Sequence, residues 1–364
     1  CSRRSRPGFQ GVLMSEFKVE PYCFDANQEV VALLDSVFKP WTGDEDYFAW
    51  KFQSYKLDLT TFPLVWIVRD KDKIISFNGF GHRRVKIGSS FHYAVQSFDG
   101  ATSPLYKGKG LFSKINKIIY DEMARHNIAW VYGWGTPVMF KILTTKHNWQ
   151  IWDAQCYLTK ILNKDVYLKS KFGNPLLRGV MKVPLDIMSR RRGVRINPQI
   201  RVERLGDTGF SDDVSGLMSQ VYDGFDIIGE RDKEWLNWCL ANPIREYASY
   251  SAYLDNNMVG YVVVMCNKEQ NTYEIADCIG RNEDALFAML DHLEKLALEE
   301  KKDRISYRIN QNHPYIAHFK KFGYLRSKGE VPMASKVVND EQAISKIIMH
   351  KDKNLHWCSF DRLE

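Results

Sequence analysis

Several features are absent from this 364-residue sequence, and each absence excludes a class of protein. No apolar run is long enough to cross a bilayer, and no segment has the pattern of a signal peptide. The seven cysteines are scattered, odd in number and never spaced as CxxC. We therefore expect neither a disulfide framework nor a metal site, and we predict a reducing, cytoplasmic location.

Two familiar nucleotide-binding motifs are also missing from the most glycine-rich loop, "SPLYKGKGLFSKI" (Ser103–Ile115). The loop does not fit GxxxxGK[ST], and Ser113 stands where a GxGxxG fingerprint needs its third glycine. The sequence also lacks the regular alternation of strand and helix that a doubly wound dinucleotide domain requires. A P-loop protein and a Rossmann domain are therefore excluded.

The composition is that of an ordinary globular chain, with 45% apolar and 26% charged residues. A chain of this length predicts two domains. The net charge of +7 is unevenly distributed, because residues 160–195 contain ten Lys or Arg and two Asp. A solvated connector between domains is the simpler interpretation of this block. The alternatives are contact with an anionic membrane, nucleic acid or a phosphorylated ligand.

Hydrophobic periodicity predicts the same order of elements in both halves of the chain. The N-terminal half shows a strand, two helices, three strands, the glycine loop, a helix with an apolar stripe, a strand, a short helix and a final strand. The stripe comprises Leu111, Phe112, Ile115, Ile118, Ile119 and Met123. In the C-terminal half, three predicted strands lead to a helix that starts near Glu283, and "DNN" forms the turn between the first two strands.

Three segments match between the halves in the same order, which indicates a duplicated fold. The first stripe falls on Leu286, Phe287, Leu290, Leu293 and Leu298 at an offset of 175 positions. The same offset aligns "KHNWQ" (146–150) with "KFGYL" (321–325), and "DEDYFAW" (44–50) matches "DKEWLNW" (232–238). We predict an α/β fold with two domains in tandem, each a mostly antiparallel mixed sheet with helices on both faces.

The glycine loop has the features of an anion-binding site. A strand that runs through a glycine-rich turn into a helix presents free backbone N–H groups and the positive end of the helix dipole. Gly108 and Gly110 permit close approach, and Lys107 and Lys109 add positive charge. At the offset of 175 positions, Glu283 and Asp284 stand in place of Gly108 and Lys109. The second half is therefore predicted to have lost the site. A simple tight turn is the alternative for the first half.

The loop resembles the pyrophosphate-binding loop of the GNAT superfamily of acyl-CoA-dependent N-acyltransferases, usually written [QR]-x-x-G-x-[GA]. Here it is Lys107-x-x-Gly110-x-Phe112, and Phe112 departs from the small residue of that pattern. The variant Y-[RK]-G-[RK]-G-[IL]-F, together with "DYFAWKF" (46–52) and "HWCSFDRLE" (356–364), is similar to a GNAT branch often linked to bacterial surface-polysaccharide biosynthesis. The resemblance begins near residue 18.

The resemblance implies acetyl-CoA as cosubstrate and a set of residues that bind it. The strand end after Gly100 would hold the acetyl and pantetheine arm, and the loop would hold the pyrophosphate. The implied residues are Ala101, Thr102, Ser103, Tyr106, Lys107, Gly108, Lys109, Gly110, Leu111, Phe112 and Ser113. No metal ligand is implied.

The acid–base residues of such a reaction are less well defined by the sequence. Asp99 is the candidate general base, with a carboxylate that caps backbone N–H groups as the equal alternative. The tyrosine that serves as general acid in many GNAT enzymes is replaced by Thr144, whose hydroxyl is too weak an acid. Tyr132, Tyr106, a residue of the second domain, or departure of the thiolate into water remain open. Trp50, Trp130, Tyr132, Trp134 and Trp149 are either an acceptor platform or core residues, more often the latter.

These observations predict an acetyl-CoA-dependent N-acetyltransferase that acts on a small amine, with an amino sugar of surface polysaccharide as the suggested acceptor. An aminoacyl-tRNA-dependent ligase of tandem GNAT-like fold and a non-catalytic CoA-binding protein are the alternatives, and nucleic acid is not the expected partner. The predicted organisation is a disordered basic tail (1–17), an active GNAT domain (18–163), a basic linker or helix (164–197), a degenerate GNAT-like domain (198–338) and a C-terminal helix and strand (339–364). For the first thirteen residues the alternative is sequence upstream of a start at Met14.

Overall fold

The computed structural model describes residues 12–14, 17–38, 43–55, 62–206, 209–327, 331–339 and 342–361. Most of the predicted N-terminal tail and the last three residues of "HWCSFDRLE" lie outside these ranges. Within the predicted tail, residues 12–14 form a strand paired with residues 17–19. That pairing covers the backbone groups of what would otherwise be a sheet edge.

The chain forms a mixed α/β structure. The strands are β1 Val12–Met14, β2 Phe17–Pro21, β3 Val65–Asp70, β4 Lys73–Ile87, β5 Ser90–Thr102, β6 Trp130–Gly133, β7 Gln150–Ile161, β8 Arg201–Arg204, β9 Ile227–Gly229, β10 Tyr247–Leu254, β11 Asn257–Asn267, β12 Thr272–Gly280, β13 Arg304–Asn310, β14 Leu325–Arg326, β15 Val331–Val337 and β16 Leu355–His356. The helices are α1 Asn27–Phe38, α2 Glu45–Ala49, α3 Leu111–Arg125, α4 Pro137–Lys146, α5 Lys164–Lys171, α6 Pro175–Met188, α7 Asp213–Val221, α8 Lys233–Leu240, α9 Glu283–Glu299, α10 Ile316–Lys321 and α11 Gln342–Met349. The predicted fold class is confirmed. Among the described residues, no helix combines the length and the apolar character needed to cross a membrane.

These elements group into two compact units. Unit 1 draws its described residues from 1–84, 92–151 and 334–341, and unit 2 from 85–91, 152–333 and 342–364. The units differ from the predicted domains in the end of β4, the start of β5, most of β7 and part of β15, and residues 85–91 belong to unit 2. Most of β7 belongs to unit 2, where it pairs with β13, and residues 334–337 of β15 belong to unit 1, where they pair with β6. Pairing between segments so far apart in the chain leaves no local sequence signal.

In unit 1 the strand order is β1-β2-β3-β4-β5-β6-β15, and β5 and β6 are parallel. Successive side chains of β3 point to opposite faces of the sheet, and both sets are apolar, which explains why helices cover both faces. Its residues Val65 and Ile67 pack in one core cluster with Val30 and Leu34 of α1. Its residues Trp66 and Val68 pack in another, which includes the buried stripe of α3 (Leu111, Ile115, Ile119 and Met123). Phe112 and Ile118 lie at the edge of that stripe and are only partly buried.

In unit 2 the order is β7-β13-β12-β11-β10-β8, with β14 on β7 and the end of β4 paired with β9. Here β12 and β13 are the parallel pair. The two matched "D…W" segments adopt the same helix start in both units: Asp44 caps α2 by accepting from the N–H of Tyr47, and Asp232 caps α8 by accepting from the N–H of Trp235. The predicted "DNN" turn has Asp255 and Asn256 at positive φ between β10 and β11.

Candidate functional site

A gap between two parallel strands of unit 1 opens beside the glycine loop. β5 pairs with β6 from Ala94 opposite Trp130 to Ser97 opposite Gly133, and the ladder stops there while β5 continues to Thr102. The last part of β5 therefore has no neighbouring strand on the β6 side among the described residues. A narrow molecule such as a pantetheine arm can hydrogen-bond to strand backbone in such a gap. We call this the strand gap of unit 1.

Immediately after β5 the chain forms the loop that the sequence singled out. Ser103 bonds back to β4 through its N–H to the Ile75 carbonyl (2.9 Å), and a short 3-10 turn covers Pro104–Tyr106. Gly108 and Gly110 then adopt positive φ of 83° and 72°. A Cβ placed on either glycine would meet nothing within 4 Å, so the space in front of the loop is open. The glycines thus supply both the conformation and the access that an anion needs.

The N-terminus of α3 lies at the end of this loop and has no side-chain cap. Gly110 occupies the N-cap position in a left-handed conformation and donates no side-chain group to the first turn. The first N–H groups of a helix without such a cap are available to an anion, and the helix dipole favours one there. Lys107 and Lys109 are exposed, and the Lys109 ammonium lies 4.8 Å from the ring centre of Tyr106. The geometry fits a pyrophosphate.

The other predicted contact residues divide into backbone and side-chain contributors. The Ala101 carbonyl and the Thr102 hydroxyl both bond to the Ser76 hydroxyl at 2.9 Å, which holds the end of β5 against β4. Leu111 is buried and Phe112 half-buried in the core, so only their backbone N–H groups can face the loop. Tyr106 donates its hydroxyl to Asp70 (2.6 Å), and this bond raises the pKa of Tyr106. Ser113 is half-buried in the first turn of α3.

Asp99, the predicted base, lies on β5 beyond Ser97, the last residue of β5 that pairs with β6. Its Oδ2 accepts from the Lys51 ammonium at 2.9 Å, and the other oxygen has no partner among the described residues. Burial alone would lower the pKa of Lys51, but the Asp99 carboxylate raises it, so Lys51 stays charged. The Lys51 ammonium also lies 4.7 Å from the ring centre of Phe98. Sequence reasoning missed Lys51, although it lies within the quoted "DYFAWKF".

Asn78 is a second residue that the sequence did not reveal. It lies on β4, its side chain is buried, and its Oδ1 has no hydrogen-bond partner among the described residues. A Cβ on Gly100 would come within 3.3 Å of this oxygen, so Asn78 points at the end of β5 that borders the strand gap. A buried, unsatisfied amide oxygen is costly in a folded protein unless a ligand or water completes it.

None of the residues considered as general acid is placed as an acid. The Thr144 hydroxyl donates to the Phe140 carbonyl of its own helix (2.8 Å), and Tyr106 is bonded to Asp70. The side chain of Tyr132 is fully buried and packs against Trp130 and Trp134. Of the five aromatic residues proposed as a platform, all but Trp134 are buried core residues.

In unit 2 the position of the glycine loop is occupied by a turn of helix. α9 begins at Glu283, which the offset of 175 positions sets against Gly108, so a helical turn replaces the loop. Asn282 caps this helix by accepting from the Ala285 N–H at 3.0 Å. Glu283 is paired with Lys321 (2.7 Å) and His318 (3.1 Å). The first turn of α9 is thus capped and acidic. The cap occupies an N–H group that an anion would need, and the carboxylates repel an anion. Three of the five matched stripe positions differ in burial. Leu298 is exposed where Met123 is buried, and Phe287 and Leu293 are buried where Phe112 and Ile118 are only partly buried.

The corresponding strand gap of unit 2 is filled by the chain itself. The β12–β13 ladder stops at Ile275 opposite Tyr307. Beyond it, Cys358 forms a bridge with Ile309, and the Phe360 N–H donates to the Ala276 carbonyl at 3.1 Å. The segment around Cys358 and Phe360 therefore lies where a pantetheine arm would have to pass in this unit.

A fully buried polar network anchors that C-terminal segment. Arg231 donates to Asp277 (3.1 Å) and Asp361 (2.5 Å), while Asp277 also accepts from His356 (2.9 Å) and Cys358 (3.3 Å). The ligand atoms of Asp277, His356 and Cys358 lie within 4.8 Å of one another, as in a metal site. The Arg231 guanidinium already supplies the positive charge and lies 3.7 Å from the Cys358 sulfur. We therefore interpret the network as structural. The six described cysteines are all free.

Comparison with known structures identifies the type of fold. No family model matches the chain, and no curated protein matches it in sequence. A probable N-acyltransferase from Enterococcus faecalis V583 is similar in structure, with a TM-score of 0.64 and 13% identity over 88% of this chain and 73% of its own. A GCN5-related N-acetyltransferase from Anabaena variabilis ATCC 29413 gives 0.64 and 11% over 89% and 73%. One from Kribbella flavida gives 0.58 and 11% over 88% and 71%.

The chain therefore has the fold of GCN5-related N-acetyltransferases over most of its length. At these identities the likeness establishes the fold, and the activity has to be argued from the site of unit 1.

Proposed function

We propose that this protein is an acetyl-CoA-dependent N-acetyltransferase with one active GNAT domain, unit 1, and one degenerate copy, unit 2. The observation that carries the proposal is the glycine loop with its uncapped α3 N-terminus, directly beside the strand gap of unit 1. The repeated order of elements and the matched helix caps support duplication. In unit 2 the capped, acidic start of α9 and the filled gap support loss of the site.

The residues of unit 1 fit the parts of acetyl-CoA. The N–H groups of Gly110 to Phe112 and the exposed Lys107 and Lys109 ammonium groups would hold the pyrophosphate. The end of β5 would hold the pantetheine arm, and free N–H groups there would stabilise the oxyanion of the tetrahedral intermediate. When bound, acetyl-CoA supplies an activated thioester. The protein then has to position an amine and remove its proton.

Asp99 is the residue we propose to accept that proton, through its oxygen that Lys51 does not occupy. Lys51 acts as a positioning residue, because its buried ammonium fixes the carboxylate at the mouth of the gap. Thr144, Tyr106 and Tyr132 are not placed to protonate the thiolate, so we propose that it leaves into solvent as the weak base it is. A small amine is the proposed acceptor, and an amino sugar is the class that the sequence resemblance suggests.

The function is tested by titrating the purified chain with acetyl-CoA in a calorimeter and by assaying free thiol release with a panel of amines that includes amino sugars. We expect one binding event per chain at micromolar concentration and thiol release with at least one amine. Binding without release across the panel would support the non-catalytic alternative. Failure to bind acetyl-CoA, together with salt-sensitive binding of tRNA, would support the tRNA-dependent ligase.

The Asp99→Asn variant is expected to lower kcat about 100-fold or more with little change in acetyl-CoA affinity, because a general base contributes about 10²- to 10⁴-fold. Thiol release and calorimetry measure the two quantities on the same preparation. A matched Asp70→Asn variant removes the partner of Tyr106 in the same unit and should leave kcat within about threefold. A parallel loss of acetyl-CoA affinity and thermal stability in Asp99→Asn would instead assign Asp99 to the fold.

A further inference from the structure

Helix α6 in unit 2 presents a row of large apolar side chains to solvent. The four residues at intervals of four, three and four positions are 80%, 70%, 62% and 53% exposed: Leu176, Val180, Val183 and Ile187. This spacing places them on one face of the helix. We call them the apolar ridge. Leu177, Met181 and Met188 widen it and are exposed as well.

The opposite face of α6 is the one that packs against unit 2. Leu185 is buried and forms a small core cluster with Ile161 and with Leu168 of α5. The two helices are also joined by ion pairs, Lys182 to Asp165 (3.1 Å) and Lys164 to Asp186. The position of α6 is therefore fixed by its own contacts, and the ridge remains outside. A solvated connector would carry polar residues on this face, so the simpler interpretation of the basic block does not account for it.

Basic residues lie at both ends of the ridge in the sequence. Within the described part of the chain, five of them have no carboxylate partner: Lys169, Lys171, Arg190, Arg192 and Arg195. Lys169 and Lys171 precede the helix, and the last three follow it, so positive charge lies at both ends of the apolar row. By contrast, Lys164, Lys182 and Arg191 are neutralised by acidic residues of unit 2.

We propose that α6 is a membrane-binding helix that lies in the surface of an anionic bilayer. An amphipathic helix with an apolar face and flanking cations binds such a surface by burying the apolar face among acyl chains while the cations meet the lipid headgroups. A helix of fourteen residues is about 21 Å long, too short to span a bilayer but suited to lying in its plane. A side chain that is 80% exposed projects from the surface, as insertion between lipids requires.

The test is flotation of the full chain with vesicles of phosphatidylcholine containing phosphatidylglycerol, compared with vesicles of phosphatidylcholine alone. We expect binding to the anionic vesicles only, with a vesicle-bound fraction that falls as salt rises. Val180→Asp should weaken this binding at least about tenfold. Its matched control is Leu298→Asp, which changes a 54%-exposed leucine of α9 in the same unit and should bind like the parent chain.

The role of charge is tested with Lys169→Gln combined with Lys171→Gln, which should weaken binding about tenfold or more, against Lys320→Gln as a control that leaves it unchanged. Absence of binding to the anionic vesicles, or binding that Val180→Asp does not weaken, would overturn the proposal. A dimer in sedimentation that Val180→Asp dissociates, without vesicle binding, would also overturn it and assign the ridge to a second copy of the chain. None of these readouts depends on acetyl transfer.

Discussion

The Gly110→Asp variant is expected to bind acetyl-CoA about a hundredfold more weakly than the parent chain. Two unit charges about 4 Å apart repel by about 4 kcal/mol at an effective dielectric constant of about 20, and the exposed loop screens part of this. A remainder of about 2.7 kcal/mol corresponds to a factor of a hundred in Kd. Calorimetric titration with acetyl-CoA measures it directly.

Gly110→Asn is the control that separates charge from shape. Asparagine has the size of aspartate and, like it, tolerates the left-handed conformation that Gly110 adopts at φ 72°. A Cβ at this position meets no atom within 4 Å, and the strain of a side chain at this positive φ is common to both variants, so it cancels when they are compared. The asparagine variant should therefore lose much less affinity than the aspartate variant. Equal losses in the two would show that the backbone alone, and no anion, governs this position.

Glu283→Gln is the corresponding change in unit 2. It removes a carboxylate at the start of α9 without touching unit 1, and it should leave the Kd for acetyl-CoA within about twofold. If Gly110→Asp kept the parent affinity while Glu283→Gln altered it, the assignment of the active and degenerate units would be reversed.

The largest expected effect on stability comes from Asp277→Asn, which should lower the free energy of unfolding by about 3–5 kcal/mol. The substitution leaves Arg231 fully buried with one of its two carboxylates gone. It also replaces one of the two carboxylate oxygens by an NH2 donor, so one oxygen is left for the bonds that Arg231, His356 and Cys358 donate to Asp277. Urea denaturation followed by circular dichroism measures the change. Asp212→Asn breaks an exposed pair with Lys233 and should cost less than about 1 kcal/mol.

The same network predicts how stability depends on pH. Burial alone would raise the pKa of Asp277, but the Arg231 guanidinium holds it well below its usual range. Its contribution is therefore present above about pH 4 and is lost as the pH falls below that. Burial lowers the pKa of His356 and His313, so both are neutral when folded, and unfolding is favoured as the pH falls below about 6.5.

Asp277→Asn should remove the part of this dependence that lies below about pH 4 and keep the part that begins near pH 6.5. Urea midpoints measured from pH 7 to pH 3 give both parts. A variant with the parent's pH dependence throughout, or with no loss of stability at pH 7, would show that Asp277 is protonated in the folded protein.

The glycine loop shows how much of the site local sequence can specify. Positive φ at Gly108 and Gly110 and the start of α3 depend on residues within a few positions, so their pattern predicts them. The ion pair of Asp99 with Lys51 and the approach of Asn78 to Gly100 join different elements. No spacing in the sequence encodes those distances. From the sequence alone, a general base and a carboxylate that caps backbone N–H groups were therefore equally good interpretations of Asp99.

The amino-acid sequence by itself predicted the order of strands and helices and the contrast between a glycine loop and an acidic helix start, and it is the basis for proposing a duplicated plan. These follow from periodicity, turn chemistry and charge, which act between near neighbours. Tertiary structure alone decided that β15 lies beside β6, that the segment around Cys358 and Phe360 fills the gap of unit 2, and that the apolar face of α6 stays exposed. Such outcomes depend on which distant parts of the chain bury each other's apolar surfaces. The hydrophobic effect is non-directional, so the local sequence does not specify which parts these are.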